Sequence, residues 1–499
     1  MLLKQLLKGP LFDYTVVQGD ANVPVSGIYY DSRKVEKDGA FVCIVGTRRD
    51  SHELAAEVAA KGAAVLVIEH SLPAAVLGAL RGVTVLQTPR TRYALALLSA
   101  AFYGFPADEM TMVGVTGTKG KTTTTHMIKA VLEAAGRKVG MIGTNGVYYP
   151  GHHYDLNNTT PESNDLQRIL RQLRDAGCDT CVMEVSSQGL MMDRVAGIRY
   201  RVGVFTNLYP DHIAPGEHAS FEEYRAWKGQ LFRRCDTGVV NADDPNTPAL
   251  LEGCTCALLT YGMTDPAADF RAADGYELLR SKTMLGVAFH VSGRENLDVQ
   301  VNMPGQFSIY NALATIGAAR ALGIGDDAIR AGLAAAVVKG RVELVPVSRD
   351  FTVLLDYAHN EAAAESLLET LKAYHPARMV VVFGCGGNRS KLRRYGMGEV
   401  CARMADFCIL TEDNNRFEKV EDILADIRTG MAKGNPNAAF VEIPDRLDAL
   451  HYAIDHAQKG DLIAVIGKGH EAYRDRAGVK TPFLERELIE EYAAEKGLQ

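Results

Sequence analysis

The stretch VTGTKGKTTTTH, residues 115–126, has the residue types of a phosphate cradle in a non-standard spacing. The common form is G-x-x-x-x-G-K-[ST]. Counting back from Lys121, its first glycine should fall at 115, where Val115 stands; the glycines are Gly114, Gly117 and Gly120. The chemistry still works on paper. Gly117 and Gly120 take positive φ cheaply and let backbone N–H groups approach phosphate oxygens. Lys121 would reach the outer phosphates, and the Thr122 hydroxyl would ligate Mg²⁺.

Two further residues follow strand-like runs in the way a site requires. Glu184 closes TCVMEVSS (180–187), and His212 follows YRVGVFTNL (200–208). An acid ending a buried strand without a cation would shift its pKa or destabilise the sheet. Lys228, on a helical stretch, reads by itself as a solvated lysine.

The elements around these residues support the cradle. MVGVTGT (112–118) reads as a strand and KTTTTHMIKAVLEAAG (121–136) as the helix after it. KVGMIGT (138–144) is the next strand. TPESNDLQRILRQLRDAG (160–177) is a helix with Thr160 as N-cap and Pro161 in its first turn. Alternating strands and helices mean a parallel sheet, with ligands at the carboxyl ends of its strands. The first hundred residues show a smaller α/β pattern, with strands in 40–46, 63–69 and 83–88 and helices near 52–61 and 91–103. Residues 253–304 suit an antiparallel patch, and 311–323 a helix. Strands in 352–358, 379–387, 406–414 and 461–469 form another α/β section. The expected fold is α/β in three domains: 1–106, 107–338 with the phosphate loop, and 339–499, Rossmann-like.

Composition agrees. The 499 residues are 47% hydrophobic and 23% charged, as in globular proteins, and too many for one core. A net charge of −7 without a Lys/Arg block argues against a nucleic-acid surface. The amino terminus lacks a secretory pattern, and no apolar run reaches spanning length; a cytoplasmic protein without membrane insertion is expected. The nine cysteines are odd in number and scattered. Cys178-x-x-Cys181 and Cys254-x-Cys256 lack zinc spacing, so reduced, mostly buried thiols are expected.

G-[IV]-T-G-T-x-G-K-T resembles the ATP loop of the Mur ligase family, the ATP-dependent amide-forming ligases of peptidoglycan precursor synthesis. Lys119 replaces the usual asparagine; its side chain is expected to face outward. Further motifs follow in that family's order: YYDSRKV (29–35), NNTTPES (157–163), MEVSSQGL (183–190), FTNLYPDHI (205–213), FEEYRAWKGQLF (221–232), GQFSIYNALAT (305–315), LDYAHNEAA, FGCGGNRSK, TEDNNR and GKGHEAY. They span nearly the whole chain and resemble most the type that adds the third peptide residue.

The resemblance implies roles for each. Gly117, Thr118, Gly120, Lys121, Thr122, Thr123, Asn311, Arg341 and Asp356 would bind ATP. Thr122, Glu184, His212 and a carbamylated Lys228 would hold Mg²⁺, with Lys121, Glu184, His212 and Lys228 as the catalytic group. Ser32, Asn158, Thr159, Thr160, Ser186 and Arg194 would bind the UDP-muramoyl dipeptide. Arg389, Asp413, Asn414, Arg416, Gly467 and Glu471 would bind the amino acid. Enzymes that add meso-diaminopimelate carry D-N-P-R, whose arginine binds the distal carboxylate; here Arg416 remains and Asn415 replaces proline. Gln188 and Asn360-Glu361 also depart from the family pattern. The resemblance therefore implies a monomeric ligase joining diaminopimelate to UDP-N-acetylmuramoyl-L-alanyl-D-glutamate. The alternatives are a diverged ligase for another amine, such as L-lysine, or for another pathway, and a nucleotide-binding relative without catalysis.

Overall fold

The computed structural model describes residues 1–498 apart from 9–11, 47–48, 212, 215 and 282–283. The chain divides into two compact units, Met1–Arg271 with Leu313–Gly332 and Ala272–Ala312 with Leu333–Gln499.

The first unit contains two sheets. Near the amino terminus, Ile28–Tyr29, Ala40–Val42, Val65–Ile68 and Thr84–Gln87 run parallel, and Thr15–Gln18 pairs antiparallel with the last of them. The second sheet carries the phosphate loop. Its central strand, Thr111–Thr116, lies between Thr180–Glu184 and Tyr200–Phe205, parallel to both. Val139–Gly143 extends one side, and Cys235–Asn241, Ala257–Gly262 and Phe270–Arg271 extend the other. The innermost strands, Thr111–Thr116, Val139–Gly143 and Thr180–Glu184, are almost wholly buried, as in a parallel sheet covered on both faces.

Register brings the site together. Glu184 lies beside Val115, and Phe205 beside Thr116, so three strands end at one level. The loop, the acid and the Thr206–Tyr209 segment leave the sheet side by side.

The second unit holds an antiparallel trio, Glu277–Ser281, Met284–Gly293 and Leu297–Val301, in the segment expected to be antiparallel. Its main sheet runs Thr352–Asp356, Asp461–Ile466, Arg378–Phe383, Phe407–Leu410 and Phe440–Glu442, all parallel, with Glu343–Val345 antiparallel at one edge. Among the described residues no helix is long and apolar enough to cross a membrane.

Two helices begin elsewhere than the sequence signals suggest. The helix after Pro161 spans Ser163–Asp175, with Glu162 at its cap position. Thr160 does not cap it, because its hydroxyl donates to the Glu184 carbonyl at 2.9 Å and accepts from the Ser186 N–H at 3.0 Å. The helix expected from 311 begins at Gln306, so Asn311 sits inside it and is buried.

Candidate functional site

The cradle is built from strain that only glycine tolerates. Gly117 has φ 148, and a Cβ there would stand 1.9 Å from the Thr206 hydroxyl oxygen. Gly120 has φ 84 and precedes the helix Lys121–Ala134. The loop is clamped from the neighbouring strand end. Thr118 N–H donates to the Asn207 carbonyl at 2.8 Å. Lys119 N–H donates to the Asn207 side chain at 2.9 Å, and the Lys119 carbonyl accepts from Thr206 Oγ1 at 2.6 Å. The Lys119 side chain is exposed, as expected. The Thr118 hydroxyl lies 3.1 Å from the Tyr224 hydroxyl. Thr123, in the helix's first turn, is half-buried.

Two lysines meet at this loop. Lys121 Nζ donates to the carbonyls of Gly117 at 2.9 Å and Thr118 at 3.0 Å. Lys228, from the helix Phe221–Gly229, donates to the same Gly117 carbonyl at 2.8 Å and lies 4.4 Å over the Tyr224 ring. Lys228 is 1% exposed. Burial, then the charge of Lys121, hold its amine well below the ordinary lysine range, against the opposing pull of Asp211. The expectation of a solvated lysine, read from the sequence without the family, is therefore corrected: the side chain is buried against the sheet.

Glu184 is 1% exposed and fully engaged. Its Oε1 accepts from the Thr122 hydroxyl at 3.0 Å and from Thr144 N–H at 2.8 Å, and its Oε2 from the Thr144 hydroxyl at 3.2 Å. A Cβ on Gly143 would fall 2.3 Å from Oε1, so the glycine leaves room beside the carboxylate. An anionic carboxylate next to a threonine hydroxyl is a hard oxygen donor set of the kind Mg²⁺ prefers. A protonated Lys228 would repel such a cation and a neutral amine is a poor match for it, whereas a carbamate would offer anionic oxygens. His212 lies outside the described residues.

Next to this set, the Thr144 hydroxyl lies 3.0 Å from that of Thr159. Ser186 caps the following short helix by accepting from Gly189 N–H. Arg194 is held by the Thr160 carbonyl at 3.1 Å and by Glu162 at 2.9 Å. Its Nε is buried with no partner in the protein. Asn158 is exposed. Ser32 stands in a single helical turn beside the first sheet, its carbonyl accepting from Lys61.

The second unit gathers two other groups. Asp356 ends its strand, buried, accepting from the N–H groups of Val342 at 2.8 Å and Ala358 at 2.7 Å. Burial raises its pKa, against the nearby Arg341. The Arg341 guanidinium lies 5.0 Å over the Tyr357 ring.

Around Gly386 and Gly387, most of the residues expected to bind an amino acid converge. Arg416, at φ 50, donates to the Gly387 carbonyl at 2.6 Å, and exposed Arg389 flanks Gly386. Asn414 donates to Glu471 at 2.6 Å. Gly467, at φ 113, would bring a Cβ within 3.0 Å of Asp413. Sequence reasoning passed over Lys468, which is fully buried at the centre of this group. It lies 3.7 Å from Asp413 and 3.5 Å from Glu471, and donates to Asn414 at 3.1 Å. The available signal was its place inside GKGHEAY, three residues before Glu471. Burial, the largest cause, raises the Glu471 pKa; Lys468 opposes this.

Comparison with known proteins accords with this arrangement. The Mur ligase middle domain matches residues 115–319, and the Mur ligase glutamate ligase domain matches 340–469. A protein of Caldanaerobacter subterraneus subsp. tengcongensis, named UDP-N-acetylmuramoyl-L-alanyl-D-glutamate–2,6-diaminopimelate ligase, is 39% identical over 497 residues, covering 99% of each chain. A Clostridium perfringens protein of the same name is 37% identical over 496 residues, covering 98% of this chain and 99% of its own. A solved structure of an enzyme of that name superposes with a TM-score of 0.72 at 26% identity, covering 100% of both chains.

Proposed function

The chain belongs to the Mur ligase family, and from that premise we propose that it joins meso-diaminopimelate to UDP-N-acetylmuramoyl-L-alanyl-D-glutamate, forming ADP and phosphate, as a step of peptidoglycan precursor synthesis in the cytoplasm. It is an ATP-dependent ligase. The observation that carries the reading is the meeting of Lys121, Lys228 and the Thr122–Glu184 pair around one glycine loop.

A carboxylate is a poor electrophile, and its charge repels the γ-phosphate of ATP. The loop's N–H groups and Lys121 would hold and neutralise the phosphates. The substrate carboxylate then takes the γ-phosphoryl group, giving an acyl phosphate and ADP. The free amine attacks the acyl carbon, and the tetrahedral intermediate expels phosphate. Mg²⁺, held by Thr122 and Glu184 and, at a second position, by His212 and carbamylated Lys228, would supply the remaining charge neutralisation.

Lys228 suits carbamylation on physical grounds. Only a neutral amine attacks CO₂, and burial lowers the pKa of this one, favouring its neutral form. The product is an anion, and adjacent Lys121 would stabilise it.

For substrate selection, Arg194, Thr159, Thr160 and Ser186 would receive the dipeptide, Arg194 through a forked contact to a carboxylate or phosphate. At the other end, Arg416 and Arg389 would hold the distal carboxylate of diaminopimelate, and Asp413 and Glu471 its distal ammonium. A zwitterionic end requires such a cation–anion pair of sites, and L-lysine would leave the arginines unanswered.

The test is direct. The purified protein is given ATP, Mg²⁺ and the UDP-muramoyl dipeptide, with diaminopimelate, L-lysine or ornithine supplied separately. ADP and phosphate release with diaminopimelate alone is expected. Release with another amine alone would overturn the specificity, and accumulation of AMP would overturn the chemistry.

A further inference from the structure

Two cysteines stand apart from the other seven. Those seven are buried, whereas Cys254 and Cys256 are half-exposed. The chain turns at Gly253, φ 70, and bends at Cys256 before entering the strand Ala257–Gly262. This path brings the two Sγ atoms to 3.1 Å, about 1 Å longer than the bond they could form. Cys254 Sγ also lies 3.4 Å from the Phe232 carbonyl.

A third thiol adjoins them. Cys235 opens the neighbouring strand, close enough to Cys256 for each thiol to influence the other's pKa. Gly203 and Gly238 make space for the sulfurs: a Cβ on either would fall 3.0 Å from Cys235 Sγ or 3.1 Å from Cys256 Sγ. Cys256 and Cys235 line an open cleft of about 600 Å³ whose wall also carries Arg199, Arg233 and Arg234. Small reagents therefore reach the Cys256 sulfur and, beside it, the half-exposed Cys254.

The approach of the two sulfurs to 3.1 Å favours sulfur–sulfur chemistry over metal binding. Burial pushes the Cys235 thiol up to about 11. Burial, then the hydrogen bond to Cys254, push Cys256 higher still. A soft metal would have to strip both protons. A two-electron oxidation needs only one thiolate to begin, and the second sulfur already stands 3.1 Å away.

We propose that Cys254 and Cys256 form a reversible dithiol–disulfide couple, closed by hydrogen peroxide. The Cys254 thiolate attacks the peroxide oxygen; the O–O bond breaks, a sulfenic acid forms, and water leaves after protonation. The Cys256 sulfur then attacks the Cys254 sulfur and loses its proton. The S–S bond forms, the S–O bond breaks, and a second water leaves. The two electrons taken from the sulfurs reduce the peroxide, and a dithiol reductant reverses the change. A disulfide across one intervening residue is tightly constrained, which makes it readily reducible and suited to a responsive pair.

The test uses the full-length reduced protein and one equivalent of hydrogen peroxide, followed by alkylation and digestion with trypsin and a glutamate-specific protease. Cleavage after Glu252 separates Cys235 from the pair. The expected result is a 253–271 peptide two hydrogens lighter and carrying no alkyl group, while the peptide with Cys235 is alkylated. Dithiothreitol should restore two alkylation sites. Cys235→Ser should preserve the closure, and Cys254→Ser should abolish it and leave Cys256 alkylated. A cross-link from Cys235, a terminal sulfinic acid at Cys254, or a pair still fully alkylated would each overturn the proposal.

Discussion

Lys121 and Lys228 donate to the same oxygen, the Gly117 carbonyl, at 2.9 and 2.8 Å. They come from different helices, and only Lys228 is fully buried. Two ammonium groups on one acceptor repel, and the buried one carries the larger desolvation cost. Lys228 is therefore the member of the pair whose neutral form is favoured. Under the proposed function this division would let Lys121 hold phosphate and Lys228 react with CO₂.

That division has a pH signature. The unfolded chain protonates Lys228 below its ordinary value of 10.5, while the folded chain keeps it neutral down to its depressed value. Between the two, unfolding takes up a proton, so stability rises with pH, by up to about 1.4 kcal/mol per pH unit. Lys228→Met removes this contribution. Urea unfolding in CO₂-free buffer from pH 7 to 9 should show the wild-type midpoint gaining on the variant's as pH rises. Parallel pH dependences would show that Lys228 is charged in the fold.

Lys121→Ala should leave folding intact and reduce ADP formation by about 10³-fold, the scale of losing a charge aimed at a transferring phosphoryl group. Circular dichroism and phosphate release together check this. A loss of a few-fold would remove Lys121 from the phosphate site.

Glu184→Gln keeps the size of the side chain and removes its charge. The Mg²⁺ concentration giving half-maximal ADP formation should rise by about tenfold or more. An unchanged Mg²⁺ dependence with lower turnover would limit Glu184 to holding Thr122 and Thr144.

Arg416→Ala should raise the KM for diaminopimelate by about 10- to 100-fold, as expected for a lost charge-assisted contact, with kcat changed little. Steady-state kinetics with saturating nucleotide substrate measure both. Equal KM values in variant and wild type would place the distal carboxylate elsewhere.

Legibility in the sequence followed the range of the forces involved. The buried parallel strands were readable because a sheet covered on both faces makes its inner strands mostly apolar, and the glycine loop because φ 148 and φ 84 demand glycine. The order of motifs carried the family. Thr160 was misread as a helix cap because its hydroxyl is used by Glu184 and Ser186, residues distant in sequence. The burial of Lys228 and Lys468 was invisible for the same reason: a lysine's environment is set by elements from elsewhere in the chain. The start of the helix at Gln306 was missed because no Ser, Thr, Asp or Asn immediately precedes it.

The pairing order of the central sheet also governs when the cradle can exist. Its strand, Thr111–Thr116, is flanked by Thr180–Glu184 and Tyr200–Phe205, both supplied much later in the chain. Such non-local closure is slow and comes after local helices form. A growing polypeptide that has just passed residue 126 holds every phosphate-loop residue but none of the Thr206–Tyr209 clamp. Nucleotide affinity thus arises with completed topology, and ATP capture during refolding would time the moment at which the sheet closes.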